Sequence, residues 1–144
     1  MRMQSLALAA LLMVACGESP TAPHQERLGQ PFELAAGQTA VLASEGLRVT
    51  FETVSNDSRC PAGATCVWEG DATAKLTMAK RGQEKSSVEL HTNARFDREA
   101  SYHGYRVVLE SVRPYPKVNQ TIPARAYVVS LRVEAATEAS AAER

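Results

Sequence analysis

Two stretches of this chain alternate apolar and polar residues one by one. Leu47, Val49 and Phe51 enclose Arg48 and Thr50, with Glu52 following, and Ala72, Ala74, Leu76 and Met78 enclose Thr73, Lys75 and Thr77. A side-chain period of two belongs to an extended strand with one buried face; a helix wound at 3.6 residues per turn would scatter those apolar groups around its circumference. Shorter or less regular strands are predicted at Phe32–Leu34, Thr39–Leu42, Val88–Leu90, Tyr105–Val112 and Ala126–Val133. The last two carry apolar residues on both faces, Val107 beside Val108 and Val128 beside Val129, which predicts central strands or bulges. Between the strands lie AAGQ, SEG, SNDSRCPAGAT, KRGQEK and RPYPKVNQ, all rich in turn-forming residues. About seven short strands with such punctuation, and no convincing long amphipathic helix, predict an all-β domain over residues 31–133. The expected form is an antiparallel β-sandwich, immunoglobulin-like or a small barrel.

The N-terminus follows a different logic. Arg2 precedes an uncharged apolar run of nine residues, Leu6 to Val14, too short to span a bilayer and suited to the core of an export signal. The Ala15-Cys16-Gly17 that follows resembles the lipobox of bacterial lipoproteins, in which a small residue precedes a cysteine that is acylated and becomes the first mature residue. Met13 stands where such families usually carry Leu, with Leu11 and Leu12 directly upstream. The resemblance implies a leader at 1–15, a lipid on Cys16 as the membrane attachment, and a place in the bacterial cell envelope. Gly17 rather than Asp after the cysteine resembles the outer-membrane class, facing the periplasm. The alternative is an ordinary secretory signal cut near Ala15; either one exports the chain. Residues 16–30, with two prolines, two glycines and few apolar groups, are expected to be a flexible tether in which His24 is inert. Residues 134–144, EAATEASAAER, are expected to be a frayed tail.

Export sets the cysteine chemistry. Of three cysteines, a lipidated Cys16 leaves Cys60 and Cys66, and a pair in an oxidising compartment reads as one disulfide. The bridge would close a ring of seven residues between two neighbouring strands, a constraint worth about 2 kcal/mol. Pro61 and Gly63 suit a compact excursion, and Trp68 is expected to bury its ring against the bridge or the end of the sandwich. Zinc fits poorly: five residues separate Cys60 from Cys66, and His91 and His103 are twelve apart with no helix to align them. A redox pair would need Cys-x-x-Cys, and a nucleophilic thiol would have to stay unpaired in an oxidising compartment. Glu69 and Asp71, two apart and able to share a strand face, could hold a cation together with Asp57 or act as acid and base. Charged groups beside a surface turn are more often simply solvated. No metal and no cofactor is predicted, and no Gly-x-Ser-x-Gly, His-Glu-x-x-His or phosphate-loop motif occurs.

Arg113 to Pro123, RPYPKVNQTIP, holds three prolines and Tyr115. It reads either as a semi-rigid loop with an aromatic tip for a partner or glycan, or as a proline-blunted connection guarding a sheet edge. At the level of the whole domain, FETVSNDSRCPAGATCVWEGDATAKL resembles the core of a group of small bacterial lipoproteins. They share Ser-Arg-Cys-Pro, a second cysteine, Cys-x-Trp-x-Gly and then an alternating strand. The likeness extends more loosely from Phe32 through Gly37 and Gln38 to Tyr127. It implies a β-rich envelope lipoprotein bridged between Cys60 and Cys66 and supplies no catalytic residue.

Sixteen Lys and Arg face sixteen Asp and Glu, so there is no electrostatic case for nucleic acid. The expected function is that of a monomeric, noncatalytic, lipid-anchored envelope protein binding a protein, glycan or small ligand through sandwich loops. Trp68, Glu69, Asp71 and Tyr115 are its candidate contacts. The alternatives are a protease-inhibitor-like module presenting a rigid loop and, after that, an enzyme.

Overall fold

The computed structural model describes residues 23–137, so Cys16, the leader and residues 138–144 lie outside the described residues. Nine strands form among the described residues: β1 (His24–Gln25), β2 (Pro31–Ala35), β3 (Thr39–Leu42), β4 (Leu47–Asp57), β5 (Ala72–Lys80), β6 (Ser86–His91), β7 (Glu99–Tyr102), β8 (Tyr105–Arg113) and β9 (Val128–Ala135). They make two sheets, a five-stranded one in the order β1-β3-β4-β5-β6 and a four-stranded one in the order β2-β9-β8-β7. All neighbours are antiparallel except β1 and β3.

The period of two does what it predicted. Leu47, Val49 and Phe51 of β4, Leu76 and Met78 of β5, Val107 and Leu109 of β8, and Val129, Leu131 and Val133 of β9 are fully buried between the sheets. A shared inner face of this kind is the main stabilising term of a sandwich. β8 and β9 are the central strands of their sheet, and their register slips between Leu109 and Ser111, so the apolar residues on both faces mark centrality and a bulge together.

The segment expected to be a tether is docked over its second half. His24 and Gln25 pair in parallel with Ala40 and Val41, the Gly29 N–H donates to Val133 O at 2.7 Å, and Leu28 packs on the core. The expectation failed because a two-residue strand carries no period to detect. β9 likewise runs two residues past the expected boundary at Val133, to Ala135. β7, also unforeseen, is turned into β8 through His103 and Gly104, both at positive φ (42° and 84°), a two-residue hairpin whose twist matches the strands.

The topology brings three long connections to one end of the sandwich: 58–71 between β4 and β5, 92–98 between β6 and β7, and 114–127 between β8 and β9. Two register slips in β4, between Phe51 and Thr53 and between Val54 and Asn56, break its alternation just before the first of these.

Candidate functional site

The three connections hold one another through buried polar groups. Arg59 is 8% exposed. Its Nε and Nη2 donate to the two oxygens of Asp57 at 2.8 and 2.6 Å, its Nη1 to Val112 O at 2.7 Å, and its Nη2 also to Pro114 O at 2.9 Å. The planar guanidinium thus clamps the start of the 58–71 loop to the end of β8, across the two sheets. Tyr127 completes the cluster by donating to Asp57 Oδ2 at 3.0 Å. Burial pushes the Asp57 carboxyl up, but the Arg59 hydrogen bonds and charge and the Tyr127 hydroxyl outweigh it and hold the group below its ordinary value.

Asp71 does the same for the second junction. It is buried, and it accepts from His91 Nδ1 at 2.6 Å, Thr73 Oγ1 at 3.2 Å, Thr92 Oγ1 at 3.3 Å and the Asn93 N–H at 3.0 Å. Burial raises its pKa, and the His91 and Asn93 bonds more than reverse that and hold the carboxyl below its ordinary value. Asn93 is spent as well: its Nδ2 donates to Gly70 O at 2.8 Å and its Oδ1 accepts from the Arg95 N–H at 2.9 Å.

Cys60 and Cys66 are disulfide-bonded. Below the bridge the loop stem continues the β4–β5 ladder, with Ser58 N donating to Asp71 O at 2.7 Å and Cys60 N to Glu69 O at 2.9 Å. Above it the ring is zipped to the proline-rich loop: Ala62 N donates to Pro116 O at 2.9 Å, Val118 N to Ala62 O at 3.3 Å, and the Tyr115 hydroxyl to Cys60 O at 2.9 Å. Arg59 lies over the Tyr115 ring, 5.2 Å from its centroid. RPYPKVNQTIP is therefore the second half of a two-loop unit.

Two expectations need correction, and the minor cation alternative falls with them. Trp68 is not buried against the bridge; it is 46% exposed, because the core between the sheets is already filled by residues of the strands. Asp71 is not a solvated surface charge and does not share a strand face with Glu69, since the residues lie before β5 begins and Asp71 turns inward to four donors. Asp57, Glu69 and Asp71 do not form a cation site: Asp57 is taken by Arg59 and Tyr127, Asp71 by the second junction, and no group of three or more metal-ligating side chains occurs among the described residues.

What the loop end leaves free is apolar. The five exposed large hydrophobic residues among those described, Val67, Trp68, Phe96, Tyr115 and Val118, all sit on the three connections at this end. Two adjoining clefts open among them and share Glu69 and Asn93. One, of about 180 Å³, runs from Glu69 past Thr92 to Tyr115 and Arg59; the other, of about 220 Å³, is lined by Val67, Trp68, Glu69, Asn93 and Arg95. So Trp68, Glu69 and Tyr115 are brought together, and Asp71 serves as scaffold beneath them. A larger cleft, of about 410 Å³, lies at the opposite end against Val41, Arg48 and Ala79, but no exposed aromatic ring borders it. Sequence reasoning missed Arg59 and Asn93, the two residues that fix the loops. For Arg59 a signal existed: an arginine two residues after an aspartate, directly before a bridged cysteine. For Asn93 there was none.

Fold and loop end together define a β-sandwich with a braced, three-loop surface at one end. Comparison with protein-family models, with curated proteins and with solved structures finds no match to this chain.

Proposed function

We propose that the protein is a noncatalytic, lipid-anchored module of the bacterial cell envelope that binds a partner through the loop end of its sandwich. One observation carries the binding role: every exposed large apolar side chain among the described residues lies on the three connections that meet there. Exposed apolar groups scatter singly on an ordinary surface, and their gathering on loops braced by a disulfide and buried polar contacts marks a recognition surface. Aromatic residues held on a rigid frame give contact area at little entropic cost. The binding role is preferred to catalysis because the one histidine–carboxylate pair among the described residues, His91 with Asp71, has its carboxylate committed to four donors within the scaffold. The anchor and the compartment rest on the Ala15-Cys16-Gly17 segment and on the resemblance of residues 51–76 to small envelope lipoproteins.

Two experiments test the parts separately. Metabolic labelling with a fatty-acid analogue is expected to mark the wild type and not Cys16→Ala; label retained in the variant removes the anchor. A photo-crosslinking residue at position 67 is expected to trap a partner in living cells that the same residue at Arg48, at the other end, does not. Equal trapping from both positions removes the loop-end role.

A second reading draws support from Val67, which is fully exposed directly after the bridged Cys66. A braced loop offering an aliphatic side chain suits a protease-inhibitor-like module. Inhibition of a serine protease that prefers small aliphatic residues, lost in Val67→Asp, would favour it.

A further inference from the structure

Of the polar side chains that line the two adjoining clefts, most are already used. Asn93 bonds at both ends of its amide, Thr92 accepts from Ala72 N at 2.8 Å and donates to Asp71, and Arg59 and Tyr115 are committed to backbone carbonyls. Three polar groups are not: the indole N–H of Trp68, the Glu69 carboxylate and the Arg95 guanidinium make no hydrogen bond or ion pair among the described residues. All three line the same cleft of about 220 Å³. Their starting points are fixed, because the Glu69 carbonyl accepts from Cys60 N and the Arg95 N–H donates to Asn93 Oδ1, so the cleft holds its shape without a ligand.

We infer that this cleft binds carbohydrate, with a pyranose ring stacked on Trp68 and its hydroxyls bonded by Glu69 and Arg95. The inference rests on the loop-end binding role and names its ligand class. A pyranose whose hydroxyls are equatorial carries C–H groups on its faces and hydroxyls around its edge. The faces match the negative face of an indole, and each hydroxyl both donates and accepts. A carboxylate takes two donors and a guanidinium gives several, so the pair reads adjacent hydroxyls from one edge. One free negative and one free positive charge leave the cleft nearly neutral, which disfavours a phosphate or any other net anion, held by Arg95 but repelled by Glu69.

The chain has a single tryptophan, so its selectively excited tryptophan emission reports on this cleft alone. Full-chain protein in detergent is titrated with cellotriose and chitotriose, both β-linked and equatorial, and with glycerol as a hydroxyl control. The expected result is a saturable emission change with at least one trisaccharide and none with glycerol, unaltered in about 0.5 M NaCl, where surface charge attraction is screened. Glu69→Gln and Arg95→Ala are each expected to weaken binding by about tenfold. Trp68→Phe, followed by calorimetry, retains weaker binding, and Trp68→Ala loses it. The exposed positions leave the melting temperature of each variant unchanged, which separates loss of binding from loss of fold. A saturable change abolished by salt, or indifferent to Glu69→Gln and Arg95→Ala, overturns the carbohydrate site. So does the absence of any change with either sugar. In that last case the crosslinker at position 67 decides what else falls: a partner still trapped there leaves the loop-end role standing without the sugar, and no partner removes both.

Discussion

Arg59 is accommodated at 8% exposure because its donors meet a carboxylate and two carbonyls at the end of β8 and just past it. Removing it strands Asp57 and frees two carbonyls at once. Arg59→Ala is expected to cost about 3–5 kcal/mol, and Arg59→Lys to recover less than half, since an ammonium cannot reproduce the fork. Urea midpoints check both. The Asp57 and Asp71 carboxylates set an acid limit. Asp57 and Asp71 both titrate below their ordinary value in the fold, where burial is outweighed by Arg59 and Tyr127 for the first and by His91 and Asn93 for the second. A group whose folded pKa is depressed stabilises above its unfolded value of about 3.9 and loses that contribution as pH falls through it toward the folded value. Stability carried by these two groups is therefore expected to be level from about pH 7 to 5 and to fall below about pH 4, with a shallower fall in Asp71→Asn. An equally steep loss in that variant would show that Asp71 is not part of the limit. Gly70 has a different constraint. At φ 76° an added Cβ would lie 2.0 Å from Ser58 O, in the loop stem, so Gly70→Ala is expected to destabilise by more than about 2 kcal/mol and to loosen the site above it.

The 58–71 connection is braced twice, by its own disulfide and by main-chain bonds to the 114–127 connection. The second brace means that the loop does not depend on the first. Cys60→Ala with Cys66→Ala is expected to fold with its sheets intact and to lose about 2 kcal/mol, or roughly 8 °C in melting temperature. Unfolding outright would show that the zipper to Ala62 has no independent strength. This division also explains what was readable in advance. Alternation at Leu47–Phe51 and Ala72–Met78 states a buried face directly, and the doubled valines of β8 and β9 state centrality, because burial acts on each residue in its own strand. Two cysteines in a chain expected to be exported state an expected pairing. Trp68 and Asp71 were misread because their burial depends on partners far away in the sequence: the core filled by other strands, and His91, Thr92 and Asn93. A side chain's type says what it can bond, and only the fold says whether the partners arrive. The charged side chains of the candidate cleft were half visible for the same reason, Glu69 beside Trp68 in the chain and Arg95 from another loop.

Across the whole molecule, the docked N-terminal segment changes how the domain can sit. With β1 starting at His24, a lipid on Cys16 would hold the sandwich on eight residue steps, a reach of at most about 28 Å, half of what a tether ending at Gln30 would allow. The same segment closes an edge. Without it, β3 would expose its unpaired backbone groups at Thr39–Leu42, and the Glu26 N–H bond to Val41 O at 2.9 Å, the Gly29 bond to Val133 O and the packing of Leu28 would be lost. Partial burial of one leucine and a few edge hydrogen bonds amount to about 2 kcal/mol. A chain beginning at His24 is accordingly expected to melt with the full-length protein, and one beginning at Pro31 to keep its β-sheet circular dichroism but melt roughly 8 °C lower. The shorter chain should also scatter light on storage, since an open, flat edge strand invites pairing between molecules. Leu28→Ala in the longer chain is expected to give part of the loss in melting temperature and none of the scattering, which separates packing from edge protection. Identical melting of the two truncated chains would mean that residues 24–30 are a tether after all, and would restore the longer reach from the membrane.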